Sequence, residues 1–209
     1  RNPDVTDARS LWLAGITAVL AAIAMLFVDE ATARLVAGYQ PSPLWSQLLA
    51  VLEHAMGLSI HRWAFAAALV AGAVVTWAHR PWRWQARIWL WLATTHVISR
   101  LLTNELKDAT GRVRPPAWLE HGGATFGHDG LGSAAFPSGH VALFASVIVP
   151  LAIVAPRTRP LLAIVVFVAI ARIVANAHWV SDTLAAVTLV ALVAWALAWV
   201  LRPMPRRTA

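Results

Sequence analysis

Six apolar stretches, at roughly 11–28, 62–78, 88–106, 139–155, 160–177 and 182–201, dominate this chain, and charge or Gly-Pro punctuation separates each from the next. A helix that crosses a bilayer needs about 20 predominantly apolar residues, and these runs approach or meet that length. The composition points the same way. Of the 209 residues, 59% are hydrophobic and only 13% charged, against about 25% charged in an ordinary soluble domain. A soluble protein with that balance has too little polar surface to cover itself. The expectation is therefore an all-α, polytopic membrane protein with six transmembrane helices in a bundle. It forms a single domain over 1–209, with a catalytic core over about 88–201.

The basic residues set the orientation. Arg1, Arg9, Arg80, Arg83, Arg87, Arg157, Arg159, Arg202, Arg206 and Arg207 fall on one side of such a bundle, and only Arg34, Arg62 and Arg112 on the other, apart from motif residues. Positive loops stay in the cytoplasm, so both termini are expected there. Trp12, Trp77, Trp82, Trp84, Trp195 and Trp199 crowd toward the same interface, as aromatic belts do. The net charge of +7 is scattered in short clusters between apolar runs, which argues against a nucleic-acid partner. The chain has no cysteine, which removes disulfide and thiolate chemistry. The first apolar run is too long for a signal-peptide core and lacks a convincing cleavage site, so no cleaved leader is expected.

Three short polar segments lie at the edges of these runs: Lys107 with Arg114-Pro115, then Pro137-Ser138-Gly139-His140, then Arg172 with His178 and Asp182. The predicted topology brings all three to the non-cytoplasmic face, at the ends of helices 3 and 5 and the starts of helices 4 and 6. Ionisable groups beside membrane helices are costly, so function is the default reading. Phosphoryl transfer needs a nucleophile, an acid for the leaving oxygen, and cations around the equatorial oxygens. His178 is the nucleophile candidate. Asp182, four residues on, is placed to accept a hydrogen bond from one ring nitrogen and leave the other free to attack; it also suits a helix start. His140 is the general-acid candidate. Ser138 suits an N-cap and Gly139 lets backbone amides approach an anion. Lys107, Arg114 and Arg172 are the phosphate ligands, Arg by its planar fork and Lys as a compact charge. Lys107 is the single lysine among 17 basic residues.

Other residues carry weaker signals. Arg112 matches no ligand position and is expected to be exposed. His96, Arg100, Thr103 and Lys107 share one helical face, either as support for Lys107 or as a polar packing seam. Asn176, one turn after Arg172, is a supporting candidate. His54, His61, His79, His121 and His128 read as interfacial or loop residues. Residues 29–61 suit an amphipathic helix in the outer interface or a packed connecting helix. Residues 108–137, with six Gly, form a long loop of the kind that acts as a lid or binding element. No His/Asp/Glu cluster has convincing zinc or magnesium spacing, so the chemistry calls for no metal and no cofactor.

The spacings K-x6-RP, PSGH and R-x5-H-x3-D resemble the three-part signature of the type-2 phosphatidic acid phosphatase superfamily, over roughly residues 88–201. One position departs: Ala171 stands where that family usually has Ser before the Arg. The resemblance implies a six-helix membrane phosphatase that works through a phosphohistidine without metal. It assigns Lys107, Arg114, Ser138, Gly139 and Arg172 to phosphate binding, His140 to acid catalysis, His178 to nucleophilic attack and Asp182 to orienting it. The Ala171 departure removes a hydrogen bond worth about 1.5–3 kcal/mol. The expected substrate is a lipid phosphate or diphosphate at the outer face of a bacterial inner membrane: undecaprenyl diphosphate, phosphatidylglycerophosphate, phosphatidic acid or lipid A. The alternatives are a lipid phosphotransferase using the same phosphohistidine, and a phospholipid or phosphate transporter that binds without cleaving.

Overall fold

The computed structural model describes residues 4–57, 60–61, 63–127 and 134–201. Arg1, Arg62, His128, Asp129, Arg202, Arg206 and Arg207 lie outside the described residues. Within them the chain is helical and contains no strand. In order, the α-helices are α1 (Asp4–Phe27), α2 (Asp29–Val36), α3 (Pro43–Ala55), α4 (Ala64–Ala78), α5 (Arg83–Thr110), α6 (Pro115–His121), α7 (Gly139–Val154), α8 (Leu162–Val174) and α9 (Val180–Leu201). Short 3-10 turns at Arg80–Trp82 and Pro156–Leu161 lead into α5 and α8.

Each of the six apolar stretches is thus occupied by a helix. Two segments, Ala8–Phe27 in α1 and Val180–Leu201 in α9, are long and apolar enough to cross a membrane, while α4 and α7 are shorter apolar helices. Trp12, Leu26, Phe27, Val75, Trp199 and Val200 are each more than three-fifths exposed. Large apolar side chains facing outward on several helices make a surface suited to lipid rather than water.

Helix α7 sits at the centre, with α5, α8 and α9 around it. Its Val141, Ala142, Leu143, Phe144, Ala145 and Val149 are buried against Leu92, Val168, Val190 and Ala194. Lipid tails are as apolar as leucine, so helices in a bilayer associate through close packing, small residues and interhelical hydrogen bonds. Ala142, Ala145, Ala186, Ala191 and Ala194 are fully buried and allow that approach. The Trp91 indole donates to the Ala194 carbonyl across α5 and α9 at 3.0 Å. The Thr17 and Thr188 hydroxyls pair α1 with α9 at 2.8 Å, and His96 Nδ1 meets Ser146 Oγ between α5 and α7 at 2.8 Å.

Residues 29–61 hold two helices, α2 and α3, rather than one. Helix α3 packs Leu49 and Leu52 toward the core and stacks Trp45 on Phe167 of α8 at 5.5 Å, while Leu44, Leu48 and Val51 stay exposed. The stretch 108–137 is not one long loop. Helix α5 runs on to Thr110, and α6 starts where Pro115 and Pro116 open a helix with φ already set.

Two helix stops place catalytic candidates. Helix α5 ends on Gly111 at φ 51°, whose N–H bonds back to the Lys107 carbonyl. Helix α8 ends in a Schellman motif: the Asn176 N–H reaches the Ile173 carbonyl at 2.8 Å and the Ala177 N–H reaches the Arg172 carbonyl at 3.0 Å. Asn176 itself takes φ 51°, a region asparagine enters more readily than most residues. Its role is therefore to reverse the chain between Arg172 and His178. Accordingly, Asn176→Gly should keep the melting temperature close to wild type. Asn176→Val, which puts a β-branched residue at positive φ, should cost about 1–2 kcal/mol, seen as an earlier thermal transition in detergent.

Candidate active site

The three polar segments converge. Lys107 lies in the last turn of α5, Arg114 at the N-cap of α6, Gly139 and His140 in the first turn of α7, and Arg172 in the last turn of α8. His178 sits in the turn before α9 and Asp182 in that helix's first turn. Lys107, Arg114, Gly139, His140, Arg172 and His178 line one cavity of about 290 Å³. Hydrogen bonds to backbone carbonyls stitch the segments together. The Ser138 N–H donates to the Asp182 carbonyl at 3.0 Å, the Ala135 N–H to the Arg112 carbonyl at 3.0 Å, and the Trp179 indole to the Val113 carbonyl at 2.8 Å. The Lys107 ammonium donates to the Ala134 carbonyl.

Arg114 precedes Pro115 and is extended, at φ −75° and ψ 151°, as a residue before proline must be. Ser138 occupies the N-cap of α7, yet its hydroxyl makes no capping bond. That hydroxyl is fully buried and unpartnered, as is Arg172 Nε. Buried polar atoms without partners are uncommon in folded proteins, and here both belong to residues assigned to phosphate. Ala171 is buried and lies outside the cavity lining.

His178 is 3% exposed. Its Nδ1 lies 3.4 Å from Asp182 Oδ2, leaving Nε2 as the second ring nitrogen. Burial pushes the His178 imidazole below its ordinary range, and the hydrogen bond and charge of Asp182 oppose this only in part. The surroundings therefore favour the neutral ring. Lys107 is lowered to about 8, first by burial and then by the charges of Arg114 and Arg172, against the pull of Asp182 and Asp108. A bound dianion would reverse that penalty.

Two carboxylates and one arginine at the site were not legible in the three motifs. Arg112, expected to be exposed, is 1% exposed. Its Nη1 donates to Asp182 Oδ1 at 2.5 Å and Ser181 Oγ at 2.7 Å, and its Nη2 to Asp29 Oδ2 at 2.8 Å. Phe126, Trp179 and Phe136 surround the guanidinium, 4.7–5.9 Å from their ring centres. The Ser181 N–H also binds Asp29 Oδ1 at 3.0 Å. The reason for the burial is charge pairing: Asp29 and Asp182 are both buried, and each needs a cation that the cavity lysine and arginines do not supply. The available signal was Asp29 itself, an acid at the edge of an apolar run. The second missed carboxylate is Glu53 of α3, whose Oε1 lies 2.8 Å from His140 Nε2. Both side chains are about one-third exposed, so the pair is worth only about 0–1 kcal/mol and a substrate anion can displace it.

The remaining predictions divide. Arg100 and Thr103 line the cavity with Lys107, whereas His96 is buried against Ser146. Asp182 serves both readings, because its Oδ2 also accepts the Trp179 N–H at 3.0 Å. Among the other histidines, the His121 ring contacts the Ala117 carbonyl and the His61 ring accepts from the Trp63 N–H, both at exposed positions; His79 packs on Trp82.

Among the described residues, an all-helical bundle brings three cations and two histidines from its helix ends to one cavity. The PAP2 superfamily profile matches residues 88–206, and the chain belongs to that superfamily. Over 100 residues it is 36% identical to a protein named lipid A 1-phosphatase from Rhizobium etli, covering 46% of this chain and 42% of that protein. It is 35% identical over 100 residues to a lipid A 1-phosphatase from Rhizobium johnstonii, covering 46% and 40%. The matched segment thus spans less than half the length of these relatives. The fold is similar to the crystal structure of a transmembrane PAP2-type phosphatidylglycerolphosphate phosphatase from Bacillus subtilis. The TM-score is 0.61 at 22% identity, over 95% of this chain and 98% of that one.

The Arg112 network yields a stability prediction. Arg112→Leu leaves Asp29 and Asp182 buried without their counter-charge and should destabilise by about 3–5 kcal/mol, with activity lost. Arg34→Gln, which breaks the exposed Arg34–Glu30 pair at 3.1 Å, should stay within about 1 kcal/mol. Thermal unfolding in detergent measures both.

Proposed function

We propose that this chain is a membrane-bound, metal-independent lipid phosphatase that works through a phosphohistidine on His178. The observation that carries the reading is the meeting of His178–Asp182, His140 and three cations around one cavity. In the first step, His178 Nε2 attacks phosphorus while Asp182 holds Nδ1. The bond to the lipid oxygen breaks, and His140 gives that oxygen its proton. In the second step, His140 takes a proton from water, the resulting hydroxide attacks the phosphohistidine, the N–P bond breaks and inorganic phosphate leaves. Lys107, Arg114 and Arg172 hold the equatorial oxygens, with the Ser138 hydroxyl and backbone amides of the α7 start completing the cradle.

The substrate class is a lipid phosphate or diphosphate. Membership in the superfamily and the names of the relatives support it. The six apolar helices α1, α4, α5, α7, α8 and α9 cross the bacterial inner membrane with both termini in the cytoplasm, and the cavity opens to the exterior. The arginine distribution supports that orientation.

The test is phosphate release from purified protein in detergent. His178→Ala should abolish both turnover and the phosphoenzyme trapped by acid quench, while His140→Ala should slow turnover about 10²–10⁴-fold. A wild-type rate in His178→Ala would refute the nucleophile assignment.

The pH profile is a second check. Lys107 is charged below its lowered value and neutral above it. Thus kcat/KM, which reports the free enzyme, should fall as pH rises through about 8. On the acid side, protonation removes the His178 lone pair. Because its affinity for protons is lowered, that limb should lie below the ordinary imidazole value of about 6.5. A profile that stays flat from pH 7 to 9 contradicts the Lys107 assignment, and an acid limb above about 6.5 contradicts the His178 assignment.

A further inference from the structure

A second cavity lies toward the opposite end of α5, between that helix and α4. It measures about 460 Å³, against about 290 Å³ for the catalytic one, and small-molecule sites usually span about 300–1,000 Å³. Small side chains leave the space: Ala73 on α4 and the buried Ala86 on α5. The walls divide by chemistry. Trp77, Arg83 and Arg87 stand toward the turn that joins the helices, and Val70, Val74 and Leu90 lie deeper. Val70 is seven residues before Trp77 and Leu90 seven after Arg83, so the groove runs about 10 Å along both helices.

The polar end is cationic and unanswered by acid. Arg83 Nε donates to the Trp77 carbonyl at 3.3 Å, and its guanidinium rests 5.7 Å from the Trp77 ring centre. Arg87 follows one turn later on the same helix face. Both arginines are exposed. The sequence has no acid between Glu53 and Glu105, and among the described residues no carboxylate pairs with either arginine. Two planar guanidinium forks one turn apart suit the oxygens of one phosphate. The rest of the groove suits hydrocarbon, since Val70, Val74, Trp77 and Leu90 are each 42–63% exposed.

We propose that this groove binds one anionic phospholipid, with its phosphate on Arg83 and Arg87 and a chain along Val70, Val74 and Leu90. A free phosphate would leave the apolar wall bare. A zwitterionic lipid brings a cation of its own to the arginines, so net charge selects the occupant. In the proposed membrane orientation these arginines face the cytoplasm, where anionic headgroups collect around basic pockets between helices. Lys107 lies twenty residues beyond Arg87, about 30 Å along α5, so the groove and the catalytic cavity draw lipid from opposite leaflets. The choice of leaflet rests on that orientation, whereas the groove and its charge do not.

The experiment is native mass spectrometry of the delipidated protein in detergent, titrated with phosphatidylglycerol or with phosphatidylcholine of the same acyl chains. The 1:1 adduct should form about tenfold more tightly with phosphatidylglycerol. Arg83→Gln with Arg87→Gln should weaken that adduct by about five- to thirtyfold and leave phosphatidylcholine nearly unchanged. Ala73→Phe fills the groove without touching a charge and should weaken both lipids, which a loose annulus of lipid would not register. The thermal transition of each variant checks that it is folded. Equal retention of the two lipids by the wild type overturns the proposal, as does an unchanged preference in the folded double arginine variant. A preference that survives there but disappears in Arg114→Gln with Arg172→Gln puts the lipid in the catalytic cavity and also overturns it. The readout is lipid retention, so the result stands whichever way the phosphatase assay falls.

Discussion

One buried arginine holds the site together. Arg112 joins Asp29, at the junction of α1 and α2, to Asp182 at the start of α9, and does so from the turn between α5 and α6. Three parts of the chain that share no local sequence are therefore locked through a single guanidinium. The geometry leaves Asp182 little freedom: one oxygen takes Arg112, the other takes the Trp179 N–H and faces His178. Buried charges are costly unless paired and hydrogen-bonded. Here the pairing is two acids to one base, with Ser181 bridging both partners. The surplus negative charge sits beside the His178 imidazole.

The motifs and the apolar helices were legible because each rests on a strong local signal. Apolar runs of sufficient length have few alternatives to a helix, and all six are helices. The cations and histidines of the cavity were legible because their residue types are expensive beside a membrane. Arg112, Asp29 and Glu53 were not, and the reason is physical rather than accidental. A buried ion pair between residues 83 or 70 positions apart has no periodicity, and an arginine in a loop looks the same whether solvated or enclosed. Asp182 is the last acid in the chain, which hides the fact that its neighbour in space comes from near residue 29. The reading of 108–137 as one loop failed for a related cause, since a seven-residue helix opened by two prolines leaves no hydrophobic period to detect. Asn176 was noticed for its spacing to Arg172, but its work is in the backbone.

The cavity residues carry a cost of their own. Ser138 Oγ and Arg172 Nε are buried without partners, and Lys107 is held well below the usual lysine range by burial and by its arginine neighbours. Each is a small local instability. Interactions of this kind need no reorganisation when charge develops, which is how a preorganised site stabilises a transition state. The rim pair of Glu53 and His140 fits the same scheme. Its weakness matters, because a strong pair would compete with the substrate for the histidine proton.

The balance of charges also distinguishes catalysis from carriage. A transporter that only binds phosphate must release it, so a ring of cations with no nucleophile would suffice. This cavity instead places a buried histidine, kept neutral by its surroundings and aimed by a locked carboxylate, among those cations. Surroundings that favour the neutral ring weaken its help in holding an anion. Fixing it requires Asp182, and enclosing Asp182 requires Arg112 and in turn Asp29. A fold that buries Asp182, Arg112 and Asp29 in a chain of contacts ending on one imidazole is arranged around that ring.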